Sequence, residues 1–391
     1  MANRFPYPPH RGDKLKIYNL AKRLSKKHKL ILITFTQNKE DLQHKQALDS
    51  VFYKVYTVHL PAIASLFQCL RVLRLDPTPL QVLFFRSQTM KRLIRSVVAN
   101  EKPDCVHVQH IRMAQYADCL EGVPAILDLP DAFSLYWKRR VENSLNMIER
   151  IFHRFEYKRI VRYEQIIQKF RLCLACSLED IRHLKGIHKK VPIRLFPNGV
   201  DLNTFSDSNH DYSINHVLLF TGNMNYAPNV DGVLYFCKEI LPLIKEELPG
   251  VTFIIAGQKP VESVCALRSD SIEVTGFVPD ISVYYKRAAV VVSPLRIGAG
   301  TQNKVLEAMA MGVPVVCGSI GFEGLGVESG EGVFMETQKH AFANRVISLL
   351  KNETQREQVG KAGRKIILER YDWDILSKKL EHFLISLGEN A

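Results

Sequence analysis

Residues 293–316, SPLRIGAGTQNKVLEAMAMGVPVV, are the stretch of the chain most informative about chemistry. The apolar run 290–295 reads as a strand and GAGT (298–301) as a tight turn. A helix from about Lys304 to Met311 then stops at Gly312 and Pro314. Gly298, Gly300 and Thr301 would deliver backbone N–H groups to a phosphate, and the following helix N-terminus favours the same charge. Arg296 and Lys304 add positive charge. Glu307, one turn into the helix, can accept hydrogen bonds from sugar hydroxyls. The stretch reads as a holder for a sugar nucleotide. Each side chain also has a plainer reading: Glu307 as an acidic residue favoured by the helix dipole, Arg296 and Lys304 as surface charges.

The elements that must position these residues alternate along the whole chain, the pattern of a doubly wound α/β protein. An amphipathic helix at 16–27 precedes a strand at 30–35, and further strands are predicted at 104–110, 125–129 and 171–177. A long helical region is expected over 133–170; its apolar residues suit either a core or a membrane surface. FPNGVD (196–201) is a turn and marks a domain boundary. A second series follows, with strands at 216–222, 252–257, 272–278, 289–295 and 313–318, a helix around 230–247, and helical ends at 339–352 and 354–387. Two α/β units with a ligand loop in the second imply a cleft between domains.

Composition narrows the class. The 391 residues suffice for two cores, and no run of about 18 apolar residues predicts a membrane span. Nor does the start read as a signal peptide. The eight cysteines lie scattered in apolar contexts, which fits a reducing compartment. Cys173 and Cys176 form a CxxC without a second pair at zinc spacing, so they are expected to be core thiols. Residues 1–200 carry 35 Lys and Arg against 17 Asp and Glu, whereas residues 201–391 carry 18 against 23. An anionic membrane surface or a lipid-phosphate substrate fits the basic half, as does a solvated basic face. No reading motif for nucleic acid is present.

The segments RFPYPPHRGDKLKIYNLAKRLSKKHKLILITF, DLPDAFS, FPNGVD, FTGNMNYAPNVDG and RIGAGTQNKVLEAMAMGVPVV together resemble the family 4 glycosyltransferases of GT-B architecture. Within that family they are most similar to the branch accompanying bacterial exopolysaccharide (exosortase/PEP-CTERM-type) systems. The resemblance implies two Rossmann-like doubly wound domains facing across a cleft: an acceptor-side domain over 1–197, a nucleotide-sugar domain over 198–370, and a C-terminal helix, 371–391, returning toward the first. It implies that Glu307 holds the nucleotide ribose, that Lys304 and Arg296 lie near the diphosphate, and that Gly276, Phe277 and Val278 contact the base. By the same resemblance His110 approaches the transferred sugar, and Gly12 belongs to a loop closing over donor phosphate and acceptor. Glycosyl transfer with retention, by front-face attack and without metal or other cofactor, is the implied chemistry. The donor would be a nucleotide sugar and the acceptor a glycan or lipid-phosphate-linked molecule. Such an enzyme would be cytoplasmic, at the inner face of the membrane. A nucleotide-sugar epimerase of the same fold and an inactive nucleotide-binding homologue stay open beside it.

The chain also departs from the family pattern. Ala299 stands eight positions before Glu307, where many relatives carry a second glutamate, and backbone amides of Gly298 and Gly300 are expected to substitute. After the first strand of the second domain, Gly222, Asn223, Met224, Pro228 and Asn229 stand where relatives carry an arginine and a lysine; Arg296 and Lys304 are expected to compensate. Only three residues precede Arg4, where relatives have a central strand. A start further upstream is the expectation, since a missing central strand leaves buried backbone groups unpaired.

Overall fold

A computed structural model describes residues 1–9, 12–38, 41, 43–72, 76–144, 146–206, 209–298 and 300–389, with side chains omitted at 64, 68 and 70–72. The chain divides into two compact units, Met1–Asn198 with Trp373–Ala391, and Gly199–Asp372.

The first unit holds six parallel strands. β1 (Ile31–Thr36) pairs with β2 (Lys54–His59), and β3 (Val106–Gln109), β4 (Ala125–Leu129), β5 (Leu172–Ala175) and β6 (Ile193–Leu195) follow in spatial order. β4 and β5 are buried throughout, as strands covered on both faces are, and Asp128 is the one charged residue within them. The helix Gly12–Leu24 and the C-terminal helix Trp373–Glu389 share one apolar cluster, in which Leu20, Leu24, Trp373, Leu376 and Leu380 meet Ile126, Leu172, Leu174 and Phe196.

The region expected to be one helix over 133–170 is two α-helices, Phe133–Glu142 and Met147–Tyr163, followed by a 3-10 turn at Glu164–Lys169. Asn143 ends the first helix, and the side chain of Asn146 caps the second by accepting from Glu149 N. β2, β6 and β12 were not expected from the sequence; the half-buried pattern of β2 contains no continuous apolar run.

The expected gap in the first sheet has a definite shape. Met1 and Ala2 lie between β1 and β3: Ala2 N donates to Ile33 O (2.9 Å), and Gln109 N donates to Met1 O (2.9 Å). Ala2 bridges Thr34 in parallel. A cavity of about 850 Å³ lies beside Met1 and Ala2, lined among others by Ile31, Leu32, Ile33, Val106 and His107. The Met1 ammonium donates to His107 O (2.7 Å), and burial lowers its pKa to about 5.

The second unit is a six-stranded parallel sheet in the order β12-β11-β10-β7-β8-β9. Its strands are β7 (Val217–Thr221), β8 (Thr252–Ala256), β9 (Ile272–Gly276), β10 (Val290–Ser293), β11 (Val315–Cys317) and β12 (Val333–Met335). The chain leaves β7 for β8 on one side and returns to β10 on the other. This reversal opens a crevice at the carboxyl ends of β7 and β10, where open α/β sheets bind ligands.

Candidate active site

The loops that build the crevice in the second unit pack directly against one another. Gly257 follows β8 with φ of +146°, and a Cβ there would lie 1.8 Å from the carbonyl oxygen of Gly222, which follows β7. After β10, the loop carries Gly298 and Gly300, both buried and both at positive φ, before the helix Asn303–Ala310. A Cβ on Gly298 would meet Ile320 at 2.9 Å, so this turn also demands glycine. Thr301 is buried directly before the helix.

That helix presents the two ionisable residues of the site. Lys304 is 6 % exposed; its ammonium lies 4.0 Å above the Phe220 ring and donates to Asn229 Oδ1 at 2.6 Å. Asn229 is oriented in turn by donating from Nδ2 to Asn223 O at 3.0 Å. Burial brings the Lys304 pKa down to about 7, against an opposing attraction from Glu307. One helical turn on, Glu307 Oε2 accepts from the Tyr285 hydroxyl at 2.9 Å. The Tyr285 hydroxyl also lies 2.7 Å from Thr221 Oγ1. Burial raises the Glu307 pKa, while Tyr285 and Lys304 pull it back. A buried amine and a half-buried carboxyl thus stand on one helix, each fixed by a neutral partner from another element.

Arg296 does not join them. Its guanidinium stacks 4.5 Å above the Tyr235 ring and is held by both carboxylate oxygens of Asp231, one at 3.0 Å. Arg296 is thus ion-paired with Asp231, whereas Lys304 has a neutral partner in Asn229. Gly276 ends β9 at φ of +75°, with Phe277 exposed and Val278 half-buried beside it. Ala299 lies outside the described residues.

The first unit holds the other expected site residues. Gly12 is the first residue of the helix Gly12–Leu24. His110 follows β3 at φ of +75°, a strained conformation for a side chain of this kind. Its N–H donates to Asp128 O at 2.8 Å, its Nδ1 accepts from Arg112 N at 3.3 Å, and its ring meets the Phe133 ring edge-on. Burial, reinforced by Arg112 and Arg4, holds its pKa well below 6.5, so the imidazole is neutral.

His107 and Asp128 have structural partners. Asp128 is fully buried between Lys16 Nζ (2.8 Å) and His107 Nε2 (3.2 Å), and Lys16 also donates to Phe196 O (3.1 Å). Asp131 does not cap the helix that follows. Asp180 accepts from Ala132 N and Glu164 accepts from Ser134 N instead. Burial, with Asp180 nearby, pushes the Asp131 pKa up to about 7. Cys173 and Cys176 are buried and form no disulfide, as expected for core residues.

Sequence reading missed Tyr285, Thr221 and Asn229. Tyr285 lies 22 residues from Glu307 and 64 from Thr221. A threonine closing the apolar run HVLLFT and a tyrosine in the short helix before β10 were the available signals, but neither names its partner.

Two family profiles match the chain: Glycosyltransferase Family 4 over residues 17–204 and Glycosyl transferases group 1 over residues 215–352. Together they span most of the sequence, and the chain belongs to the family 4 glycosyltransferases. Among curated relatives, an "uncharacterized 44.6 kDa protein in cps region" of Klebsiella pneumoniae is 24% identical over 384 residues, covering 94% of each chain. A GDP-mannose-dependent α-(1-6)-phosphatidylinositol monomannoside mannosyltransferase of Mycobacterium tuberculosis is 29% identical over 160 residues, 37% of this chain and 42% of its own. Sucrose-phosphate synthase from Thermosynechococcus elongatus superposes with a TM-score of 0.69 at 15% identity, covering 97% of this chain and 94% of that one. Anabaena Alr3699/HepE in complex with UDP gives 0.66 at 15% identity, covering 95% of each. These likenesses establish a GT-B fold, and the chain is a glycosyltransferase.

Proposed function

We propose that this enzyme transfers a hexosyl unit, with retention, from a nucleoside-diphosphate sugar to a glycan or lipid-phosphate-linked acceptor during assembly of a cell-surface polysaccharide. The observation carrying this reading is the pair of oppositely ionising residues, buried Lys304 and half-buried Glu307, at the switch point of the second sheet. The polysaccharide setting follows the relative from a cps region. UDP and GDP are the first bases to test, because a similar structure is a UDP complex and a partial relative is a GDP-mannose enzyme.

In this mechanism the ribose hydroxyls donate to Glu307, whose second partner, Tyr285, keeps the carboxyl aimed. The diphosphate takes the Lys304 ammonium from Asn229. As the bond from the anomeric carbon to phosphate oxygen breaks, negative charge grows on the diphosphate and Lys304 stabilises it. The acceptor oxygen forms its bond on the same face of the sugar, and the departing phosphate oxygen takes the acceptor's proton. His110, being neutral, hydrogen-bonds the sugar and carries no charge to the reaction. Gly12, at the start of its helix, approaches donor phosphate and acceptor, and Gly276, Phe277 and Val278 flank the base. We place the enzyme in the cytoplasm at the inner face of the membrane; among the described residues no helix is long and apolar enough to cross a bilayer.

Thermal shift with UDP, GDP and their hexose conjugates, followed by donor turnover with and without lipid-phosphate acceptors, tests the reading. A ligand bound only by the native state raises the midpoint by mass action. One donor that shifts the midpoint and is consumed fastest with an acceptor supports transfer. An isomerised nucleotide sugar appearing without acceptor would replace it with epimerisation, and nucleotide binding without turnover of any donor would replace it with a binding role.

A further inference from the structure

The helix Met147–Tyr163 is built inside out. Its inner face carries His153, Glu156 and Arg159, each 6 % exposed or less, beside Ile160. Its outer face carries Ile148, Ile151, Phe152 and Phe155, between 40 % and 82 % exposed. Each inner polar residue has a partner: Glu156 accepts from Leu80 N at 3.1 Å, His153 Nδ1 meets Ser144 Oγ at 2.9 Å, and Arg159 reaches Asp76 O through one of its terminal nitrogens. An ordinary surface helix puts its apolar stripe on the core and its charges in water. Here the apolar stripe faces outward, and contiguous exposed apolar surface of this kind marks an interaction site.

A second helix, Ala62–Val72, exposes Ile63, Leu66 and Phe67, each more than half exposed. The two helices flank the same short segment: Cys69 Sγ donates to Leu80 O, and Leu80 N donates to Glu156. Both apolar faces therefore belong to one region of the first unit.

Charge selects the occupant. Arg150, Arg154, Lys158 and Arg162 are exposed and recur every four residues, forming a basic stripe beside the apolar one. Under two-fold symmetry a second copy docked through this face would set like charges against each other. An anionic lipid surface meets both stripes at once, with apolar side chains entering the acyl boundary and basic ones at the headgroups. We propose that the outer faces of the helices Ala62–Val72 and Met147–Tyr163 form the docking surface through which this enzyme sits on an anionic phospholipid bilayer. The proposal deepens the lipid-linked acceptor reading by naming the surface that meets the lipid.

Co-sedimentation with phosphatidylglycerol/phosphatidylcholine vesicles and with pure phosphatidylcholine vesicles tests it. The full chain is expected to partition onto the anionic vesicles. Ile148→Ser with Ile151→Ser should lower the partition coefficient at least tenfold. Replacing Arg154, Lys158 and Arg162 by Gln should lower it by about fivefold per charge at low salt, and little at high salt. All these positions are exposed, so the variants keep their fold, which circular dichroism checks. Nucleotide affinity measured on the same variants should be unchanged, which separates failure of the surface from failure of the transferase reading. Equal sedimentation of wild type and variants, binding to neither vesicle, or a stable complex only with itself or another protein would each overturn the proposal.

Discussion

Lys304→Met removes the ammonium while keeping an apolar stem over Phe220. In the empty protein the lysine is costly: lowering its pKa from 10.5 to about 7 corresponds to about 5 kcal/mol against the charged form, at roughly 1.4 kcal/mol per unit. Because the folded pKa is depressed, the unfolded chain holds this proton over the window from about 7 to 10.5 and the folded chain does not. Lys304 therefore adds stability as pH rises through that window, and the variant should lack this slope. Removal of the lysine leaves Asn229 Oδ1 unpaired, at about 1–3 kcal/mol, which is less than the relieved desolvation, so the Met variant should be no less stable than wild type at pH 7.

Ligand binding should respond in the opposite sense. A charge-assisted hydrogen bond is worth about 1.5–3 kcal/mol, so a nucleoside diphosphate should bind the variant roughly 10- to 150-fold more weakly. Above pH 7 the wild type must take up a proton on binding, so its affinity should fall toward about tenfold per unit. The variant's affinity should be flat there. Isothermal titration with UDP and GDP at pH 6.5 to 8.5, in buffers of different ionisation enthalpy, measures affinity and proton uptake together. Equal affinity for both proteins, with no proton uptake by the wild type, would refute the placement of Lys304 against the diphosphate.

Tyr285→Phe should cost about 1–3 kcal/mol in denaturant unfolding, because half-buried Glu307 and buried Thr221 lose a partner, and it should weaken nucleotide binding as well. Arg296→Ala should change nucleotide affinity less than twofold and stability by less than about 1 kcal/mol, because this half-exposed guanidinium is paired with Asp231; a tenfold loss of affinity would return it to the donor site. Lys16→Met should destabilise by about 3–5 kcal/mol, since it strands Asp128 in a fully buried position, and urea unfolding reads the loss. His110→Ala should lower donor turnover more than tenfold with nucleoside diphosphate affinity unchanged; a fall in both would place its role elsewhere.

The sequence by itself determined the alternation of elements and the class of fold. Buried parallel strands such as AILDL and AVVVSPL are predominantly apolar, and that composition is visible without coordinates. It also placed Lys304, Glu307 and the glycine turn, because they lie within ten residues of one another on a turn and its helix. What it did not contain was direction. Arg296 and Lys304 are equally basic and close in the chain, yet one meets Asp231 outside and the other is buried against Asn229, a distinction set by residues 65 and 75 positions away. The chain Thr221–Tyr285–Glu307 was likewise hidden, since its hydrogen bonds join a strand end, a short helix and a third element. The inversion of the helix Met147–Tyr163 was beyond periodicity alone. A helical pattern says that one face differs from the other, whereas only the buried partners of Glu156, His153 and Arg159 decide which face turns inward. Local patterning selects elements because neighbouring residues share one backbone geometry; the pairing of charges is decided by which distant segments the fold brings into reach.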